Sequence, residues 1–231
     1  MDYAKKIILA IDETSIDRIR TIVESTSKYI STYKLGSIPF TAHGPILVRE
    51  IIDMGKDVFL DLKYFDIPNT VSKAVEQAIN LGVRMITLHA MGGEEMLKRA
   101  VEVNSGRSML FAVTILTSME NSQLSLIGMR GDVEDMVVGL AKMAVNTGID
   151  GIVASGRETS LLRESFGRKP VIVVPGVRMD NNSRDDQKRV VTPRTAFESG
   201  ADYIVIGRPV TESRYPEKVL EEIIQSCELY K

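Results

Sequence analysis

The sequence predicts an α/β protein that folds as a single (β/α)8 barrel, the TIM-barrel architecture, over residues 1–231. Short β-branched runs alternate with longer segments in which apolar residues recur at every third and fourth position, as in a parallel sheet covered by helices. Eight such pairs fit into 231 residues, the compact end of this fold's size range. An open doubly wound sheet is the alternative, but Asp12-Glu13-Thr14 stands where such sheets often carry a glycine-rich turn.

The first four units are delimited by helix-start and helix-end residues. Strands are predicted at 6–12, 32–36, 57–63 and 84–89, each an apolar run of strand length. Proline and small polar residues favour helix starts, whereas glycine favours helix ends. The four helices are therefore predicted to begin near Ser15, Ala42, Pro68 and Gly93, with Gly55 and Gly82 ending the second and third.

The last four units repeat this pattern. Strands are predicted at 109–116, 151–154, 171–175 and 203–207, and helices near Asp132, Glu158, Pro193 and Pro216, with ends at Gly148, Gly167 and Gly200. Two connections are longer than the rest, 117–131 and 177–191. The second is strongly polar, and loops of this length in a compact domain are commonly lids or binding loops.

Composition and charge exclude several classes of function. The formal net charge is −2 and the basic residues are dispersed, so no nucleic-acid partner is expected. The apolar runs are far shorter than a membrane span and the first residues lack a secretion signal, so a cytoplasmic protein is expected. The single cysteine, Cys227, is interpreted as an inert packing residue, and His43 and His89 are too far apart in sequence to suggest a metal motif.

The functional residues of such a barrel come from the carboxyl ends of its strands. Polar groups and turn residues follow nearly all of the predicted strands. The candidates are Asp12, Lys34, Asp61, Lys63, His89, Thr117, Ser118, Ser155, Pro175, Gly176, Arg178, Gly207 and Arg208.

The third strand ends in a cluster of charges, "DLKYFDIPNT" at 61–70. Asp61 and Lys63 are two residues apart, so both side chains should leave the same face, and Lys34 should project beside them. With Asp66 nearby, positive and negative charges alternate. The cluster is either a reaction centre or a network of ion pairs that closes one end of the barrel. Arg208, directly after the eighth strand, suits a phosphate.

Two flanking carboxylates favour the ammonium form of Lys63, which makes it a better proton donor than a Schiff-base nucleophile. The carboxylate of Asp61 would repel a substrate anion beside it and favour a transition state in which that charge departs. Protonation of carbon together with loss of an anionic group describes a decarboxylation.

The same stretch closely resembles the D-x-K-x-x-D-I-P-x-T signature of the orotidine 5′-phosphate decarboxylase family. Further blocks resemble that family in order along the chain: "LAID", "YKLGS", "LHAMGG", "ILTSM", "VPGVR", "DDQKRVVTP" and "YIVIGRP". The combination is highly specific, although D-x-K-x-x-D alone occurs in related phosphosugar enzymes.

The resemblance implies cofactor- and metal-independent conversion of orotidine 5′-monophosphate to uridine 5′-monophosphate (UMP) and CO2, the last step of pyrimidine synthesis. It implies that Lys63 protonates C6 next to Asp61, and that Lys34 and Asp12 hold ribose hydroxyls and orient the charges. It also implies a homodimer in which Asp66, Ile67 and Thr70 complete the partner's site. The remaining implied substrate contacts are Thr117 and Ser118 at the pyrimidine, Pro175 beneath the loop, and Arg178, Gln187, Gly207 and Arg208 at the phosphate.

Two related enzymes and one binding protein are the alternative functions beside this interpretation. Magnesium-dependent 3-keto-L-gulonate 6-phosphate decarboxylases and hexulose-phosphate synthases share part of the motif, but they carry a glutamate ligand where this chain has Lys34, and an ammonium cannot ligate magnesium. A non-catalytic phosphonucleotide-binding barrel would use the same charges only to hold its ligand. His89 is interpreted as a supporting or core histidine.

Overall fold

The computed structural model describes residues 2–179 and 191–228 as a closed barrel of eight parallel strands in sequential order. Each strand pairs with the next, and β8 pairs with β1. The strands are β1 Ile7–Ile11, β2 Thr32–Gly36, β3 Asp57–Tyr64, β4 Met85–His89, β5 Met109–Val113, β6 Gly151–Val153, β7 Val171–Val174 and β8 Tyr203–Ile206. The predicted fold class is confirmed, and each of the eight predicted strands is present.

Helices surround the sheet. They are α1 Ile16–Thr26, α2 Ser37–His43, α3 Pro45–Asp53, α4 Pro68–Asn80, α5 Gly93–Asn104, α6 Asn121–Leu126, α7 Val133–Thr147, α8 Thr159–Phe166, α9 Pro193–Glu198, α10 Arg208–Thr211 and α11 Pro216–Glu228. Two predicted helix starts are confirmed by side-chain N-caps. The Ser15 hydroxyl accepts a hydrogen bond from the Arg18 N–H, and the Asp132 carboxylate accepts one from the Asp135 N–H.

The strand side chains divide into two sets by their alternation. One set, including Leu9, Tyr33 and Leu35, packs outward against the helices. The other fills the barrel interior around Phe59 and Phe111, whose ring centroids lie 5.5 Å apart. This alternation fixes the interior direction, because every second residue along a strand faces the same side. On that same side, the next residues toward the carboxyl ends of the first three strands are Asp12, Lys34 and Asp61.

Three predictions about individual elements are wrong. The helix predicted near Ala42 is two helices, α2 and α3, separated at Gly44, where φ is +63° and Pro45 begins the second helix. The connection 117–131 contains helix α6 in place of a wholly irregular loop. Predicted strand five continues three residues too far, since β5 ends at Val113 although Thr114 and Ile115 remain buried.

Among the described helices, none combines the length and the apolar character that crossing a membrane requires. The core contains residues from all eight strands. It supports one rim of strand ends, which carries the candidate site.

Candidate active site

A cavity of about 360 Å³ opens at the carboxyl ends of the strands. Its volume is within the usual range for small-ligand sites. The cavity floor is apolar, formed by Ala10, Phe59 and Val205, and polar groups stand on its rim. Its lining includes eleven residues singled out from the sequence: Asp12, Lys34, Asp61, Lys63, Thr117, Ser118, Pro175, Gly176, Arg178, Gly207 and Arg208.

Four of these residues form a chain of alternating charges. Lys34 Nζ lies 3.6 Å from Asp12 Oδ1 and 3.5 Å from Asp61 Oδ2. Lys63 Nζ lies 2.9 Å from Asp61 Oδ1, so Asp61 contacts both ammonium groups. The side chains of Lys34 and Asp61 are each only 13% exposed, whereas that of Lys63 is 38% exposed and faces the open cavity. We call these four residues the charge array.

The electrostatics of Asp61 follow from its neighbours. Burial by itself would raise the pKa of this carboxyl group. The positive charges of Lys34 and Lys63, with hydrogen bonds from Lys63 and Thr87, outweigh burial and hold the pKa below its ordinary value of 3.8. Asp61 is therefore an anion at neutral pH.

The backbone at Lys63 departs from the regular strand that the sequence analysis assumed. Its φ is +49°, and the pairing between β3 and β4 shifts register between Leu60 and Tyr64. A left-handed conformation is costly for a residue with a Cβ, and residues strained in this way cluster at active sites. Asp61 and Lys63 do meet as predicted, but through this irregularity and not through simple alternation along a strand.

The ends of β7 and β8 carry the residues that the sequence analysis assigned to phosphate binding. Gly207 ends β8, and Arg208 begins α10 beside the cavity. The Arg178 N–H donates to the Val191 carbonyl, and Val177 pairs with Val191, so the two ends of the connection 177–191 are held together. Arg178 is thereby fixed at the rim, next to Pro175.

The predicted residues Asp66, Ile67 and Thr70 do not line the cavity of their own chain. Asp66 is exposed, and its Oδ1 accepts a hydrogen bond from the Ile67 N–H. Ile67 is 65% exposed and Phe65 is 59% exposed. Gln187, the other predicted phosphate contact, lies outside the described residues.

His89 lies next to the array without lining the cavity. Its ring stacks on Phe65 with centroids 5.6 Å apart, and its Nδ1 accepts from the Met91 N–H. Burial, and to a smaller degree the charge of Lys63, lower its pKa below 6.5. The role of His89 as a supporting histidine stays a prediction.

One polar contact of the array was missed by the sequence analysis. Thr87 on β4 donates a hydrogen bond to Asp61 and accepts one from the Lys63 backbone. Its position two residues before His89, facing the interior, is the only signal that could have indicated it.

A bound metal ion would need several ligating side chains in one place. Over residues 2–179 and 191–228, no group of three or more histidine, cysteine, aspartate or glutamate side chains is arranged to hold one. The two carboxylates nearest the cavity, Asp12 and Asp61, both direct oxygens at the Lys34 ammonium.

Comparisons with known proteins agree with this geometry. The family model described as "Orotidine 5′-phosphate decarboxylase / HUMPS family" matches residues 5–223. A curated protein named orotidine 5′-phosphate decarboxylase from Vibrio cholerae is 44% identical, covering 96% of this chain and 97% of its own length. One from Coxiella burnetii is 41% identical, with 94% of each chain covered.

The solved structures give the same result at the level of the fold. The crystal structure of orotidine 5′-phosphate decarboxylase from Lactobacillus acidophilus superposes with a TM-score of 0.84 at 30% identity, covering 96% of this chain and 99% of that chain. An uncharacterised conserved protein from Geobacillus kaustophilus also superposes with a TM-score of 0.84, at 28% identity. With a match that spans nearly the whole chain and a charge array at the mouth of the barrel, this chain belongs to the orotidine 5′-phosphate decarboxylase / HUMPS family.

Proposed function

We propose that this protein decarboxylates orotidine 5′-monophosphate to UMP and CO2, the reaction for which its curated relatives are named, and so acts in pyrimidine biosynthesis. The observation that carries the proposal is the pair Asp61–Lys63. A nearly buried carboxylate and a partly exposed ammonium lie 2.9 Å apart at the mouth of a cavity of nucleotide-binding size. No cofactor enters the proposed mechanism.

Lys63 is the proposed general acid. The bond between C6 and the carboxylate breaks and CO2 leaves. The electron pair of that bond remains on C6. The Lys63 ammonium donates a proton to C6, which gives UMP, and the amine regains a proton from water. The ammonium is suited to this role because it is the more exposed of the two cations in the array and lines the cavity.

Asp61 is the proposed source of electrostatic stress. Held ionised by Lys34 and Lys63, it would stand beside the substrate carboxylate, and that repulsion disappears as CO2 leaves. Lys34 and Asp12 are proposed to bind ribose hydroxyls, and Thr117 and Ser118 the pyrimidine. These four residues line the same cavity.

The 5′-phosphate is proposed to bind across the cavity from the array, at Arg178, Gly207 and Arg208, with Gln187 as a further contact. Two guanidinium groups at this rim suit a dianion. Because the phosphate does not react, its binding energy can be used to hold the pyrimidine against the charged centre.

A homodimer in the cytoplasm is the proposed form of the enzyme. Phe65 and Ile67 are exposed apolar residues on either side of Asp66, close to the site but outside it. A second copy of the chain that covers Phe65 and Ile67 would bury this apolar surface. Asp66, Ile67 and Thr70 of the first copy would then reach the cavity of the second copy.

Mixed chains test this shared site. A Lys63→Ala chain and an Asp66→Ala chain, each inactive alone, should form heterodimers with one intact site and regain up to about a quarter of wild-type activity on random exchange. If subunit exchange is verified and no activity returns, each chain's site is self-contained.

A magnesium-dependent phosphosugar enzyme is the competing proposal within the same family. The Lys34 ammonium argues against it, since it lies within 3.6 Å of the Asp12 and Asp61 oxygens that a metal ion would need. The relatives described above carry the decarboxylase name at 41% and 44% identity.

One assay separates these functions. The protein is mixed with orotidine 5′-monophosphate in the presence of a chelator, and the ultraviolet absorbance of the pyrimidine is followed. We expect complete conversion to UMP, unaffected by the chelator. Unchanged absorbance with folded protein would refute the proposed reaction, and loss of turnover on chelation would refute metal independence.

A further inference from the structure

Thr87 is a fully buried polar residue in the middle of β4 that contacts two parts of the charge array. Its Oγ1 lies 3.0 Å from Asp61 Oδ1 and 2.8 Å from the backbone nitrogen of Lys63. Thr87 does not line the cavity, so any effect it has on substrate must act through those two residues.

The direction of both hydrogen bonds is fixed by the partners. An ionised carboxylate can only accept and a backbone N–H can only donate, so the single hydroxyl proton of Thr87 points to Asp61 and a lone pair receives the Lys63 N–H. The hydroxyl therefore joins the carboxylate to the main chain of the lysine. A methyl group in its place could do neither.

The irregularity of β3 explains why a side chain is needed here. Regular pairing with β4 is interrupted between Leu60 and Tyr64, and Lys63 lies inside this interval with a φ of +49°. Such a conformation persists only where its surroundings hold it. The Thr87 hydroxyl replaces a strand carbonyl as acceptor for the Lys63 N–H and so holds the backbone that carries the proposed acid.

We propose that Thr87 is a positioning residue for the decarboxylation, which fixes the Asp61 carboxylate and the Lys63 main chain relative to each other. This inference rests on the proposed function and extends it to a residue outside the cavity. Because small displacements of reacting groups are costly, loss of the hydroxyl should lower kcat about 10- to 100-fold. KM should change less than about threefold, since the arginines at the phosphate side are untouched.

Two comparisons isolate the effect of the hydroxyl in different steric contexts. Thr87→Val keeps the shape and loses the hydroxyl, whereas Thr87→Ser keeps the hydroxyl and loses the methyl group. Positioning predicts that serine stays within about threefold of wild-type kcat and that valine falls at least tenfold. A role in packing alone predicts the reverse order, because valine keeps the shape of threonine whereas serine leaves a cavity where the methyl group was.

Thr87→Ala compared with Thr87→Ser gives the second pair, which differs only in the hydroxyl and serves if the valine variant fails to fold. Folding is checked by thermal unfolding, and kcat and KM for orotidine 5′-monophosphate are measured on each folded variant. Equal kcat for serine and alanine, or for wild type and valine, would overturn the inference. An inactive wild-type protein would instead refute the proposed function, so the two failures are distinguishable.

Discussion

Replacing Lys34 by methionine tests the electrostatic account of the charge array. Methionine has a similar length but no charge, so the change removes the ammonium that lies 3.5 Å from Asp61 and 3.6 Å from Asp12. Asp61 would keep Lys63 as its one cationic partner. We expect the pKa of Asp61 to rise, because burial would then be opposed by only one of the two cations that now outweigh it.

The magnitude follows from two opposing contributions. At 3.5 Å and an effective dielectric constant of about 20, the attraction between Lys34 and Asp61 is about 5 kcal/mol. Desolvation of the nearly buried ammonium offsets several kcal/mol of this. Removing one partner of a buried pair costs about 3–5 kcal/mol, and the remaining Lys63 reduces that cost. We therefore expect Lys34→Met to lower the free energy of unfolding by about 1–3 kcal/mol at neutral pH.

The pH dependence has a definite sign. The pKa of Asp61 is lower in the folded protein than its ordinary value, so its stabilising effect is complete above about pH 4 and is lost as pH falls through the folded value. The difference between wild type and Lys34→Met should be largest near pH 7, where Asp61 is ionised in both folded proteins. It should shrink as pH falls from the raised pKa of Asp61 in the variant toward its lowered pKa in wild type.

Urea unfolding at several pH values measures this difference, and Lys56→Met is the matched control. Lys56 Nζ donates to the carbonyls of Ser27 and Ile30, at 2.7 and 3.2 Å, and neither partner titrates. Its substitution should cost the same at every pH. An equally flat profile for Lys34→Met, or a gain in stability at pH 7, would show that Lys34 does not stabilise the Asp61 anion.

Three glycines yield further predictions. In Gly156→Ala the new Cβ would lie 2.4 Å from Val191 Cγ2, and Val191 holds the Arg178 N–H, so we expect KM for orotidine 5′-monophosphate to rise about tenfold while kcat changes little. Steady-state kinetics measure this, and an unchanged KM would contradict it. Gly139→Ala meets no atom within 4 Å inside α7 and should raise the free energy of unfolding by about 0.5–1 kcal/mol with normal kinetics. Gly151→Ala would place its Cβ 2.5 Å from the Val171 carbonyl oxygen and should cost about 1–3 kcal/mol or more in urea unfolding, and no loss would refute the close packing of the interior.

The sequence was most informative where periodicity and local chemistry act together. The carboxyl ends of strands could be located to within a few residues because a buried run is followed by charged residues, as in β3, where Asp61 follows the buried residues 58–60. The interior direction then followed from alternation, and it correctly grouped Asp12, Lys34 and Asp61 around one cavity.

Features that depend on tertiary contacts could not be predicted in this way. The left-handed backbone of Lys63 is held by a hydroxyl on the next strand, and no propensity of lysine indicates it. Thr87 itself lies in an apolar run and fits a strand without any functional role. The Gly44-Pro45 pair signals the break between α2 and α3, although the apolar periodicity by itself predicts one continuous helix there.

Lys63 is proposed to act as the proton donor and not merely as a ligand for the nucleotide. The most direct test of this role is to measure turnover and UMP binding on the same Lys63→Ala preparation. We predict that kcat falls more than about 100-fold, while the dissociation constant for UMP changes less than about tenfold. Turnover close to wild type would contradict the assignment of Lys63 as the acid.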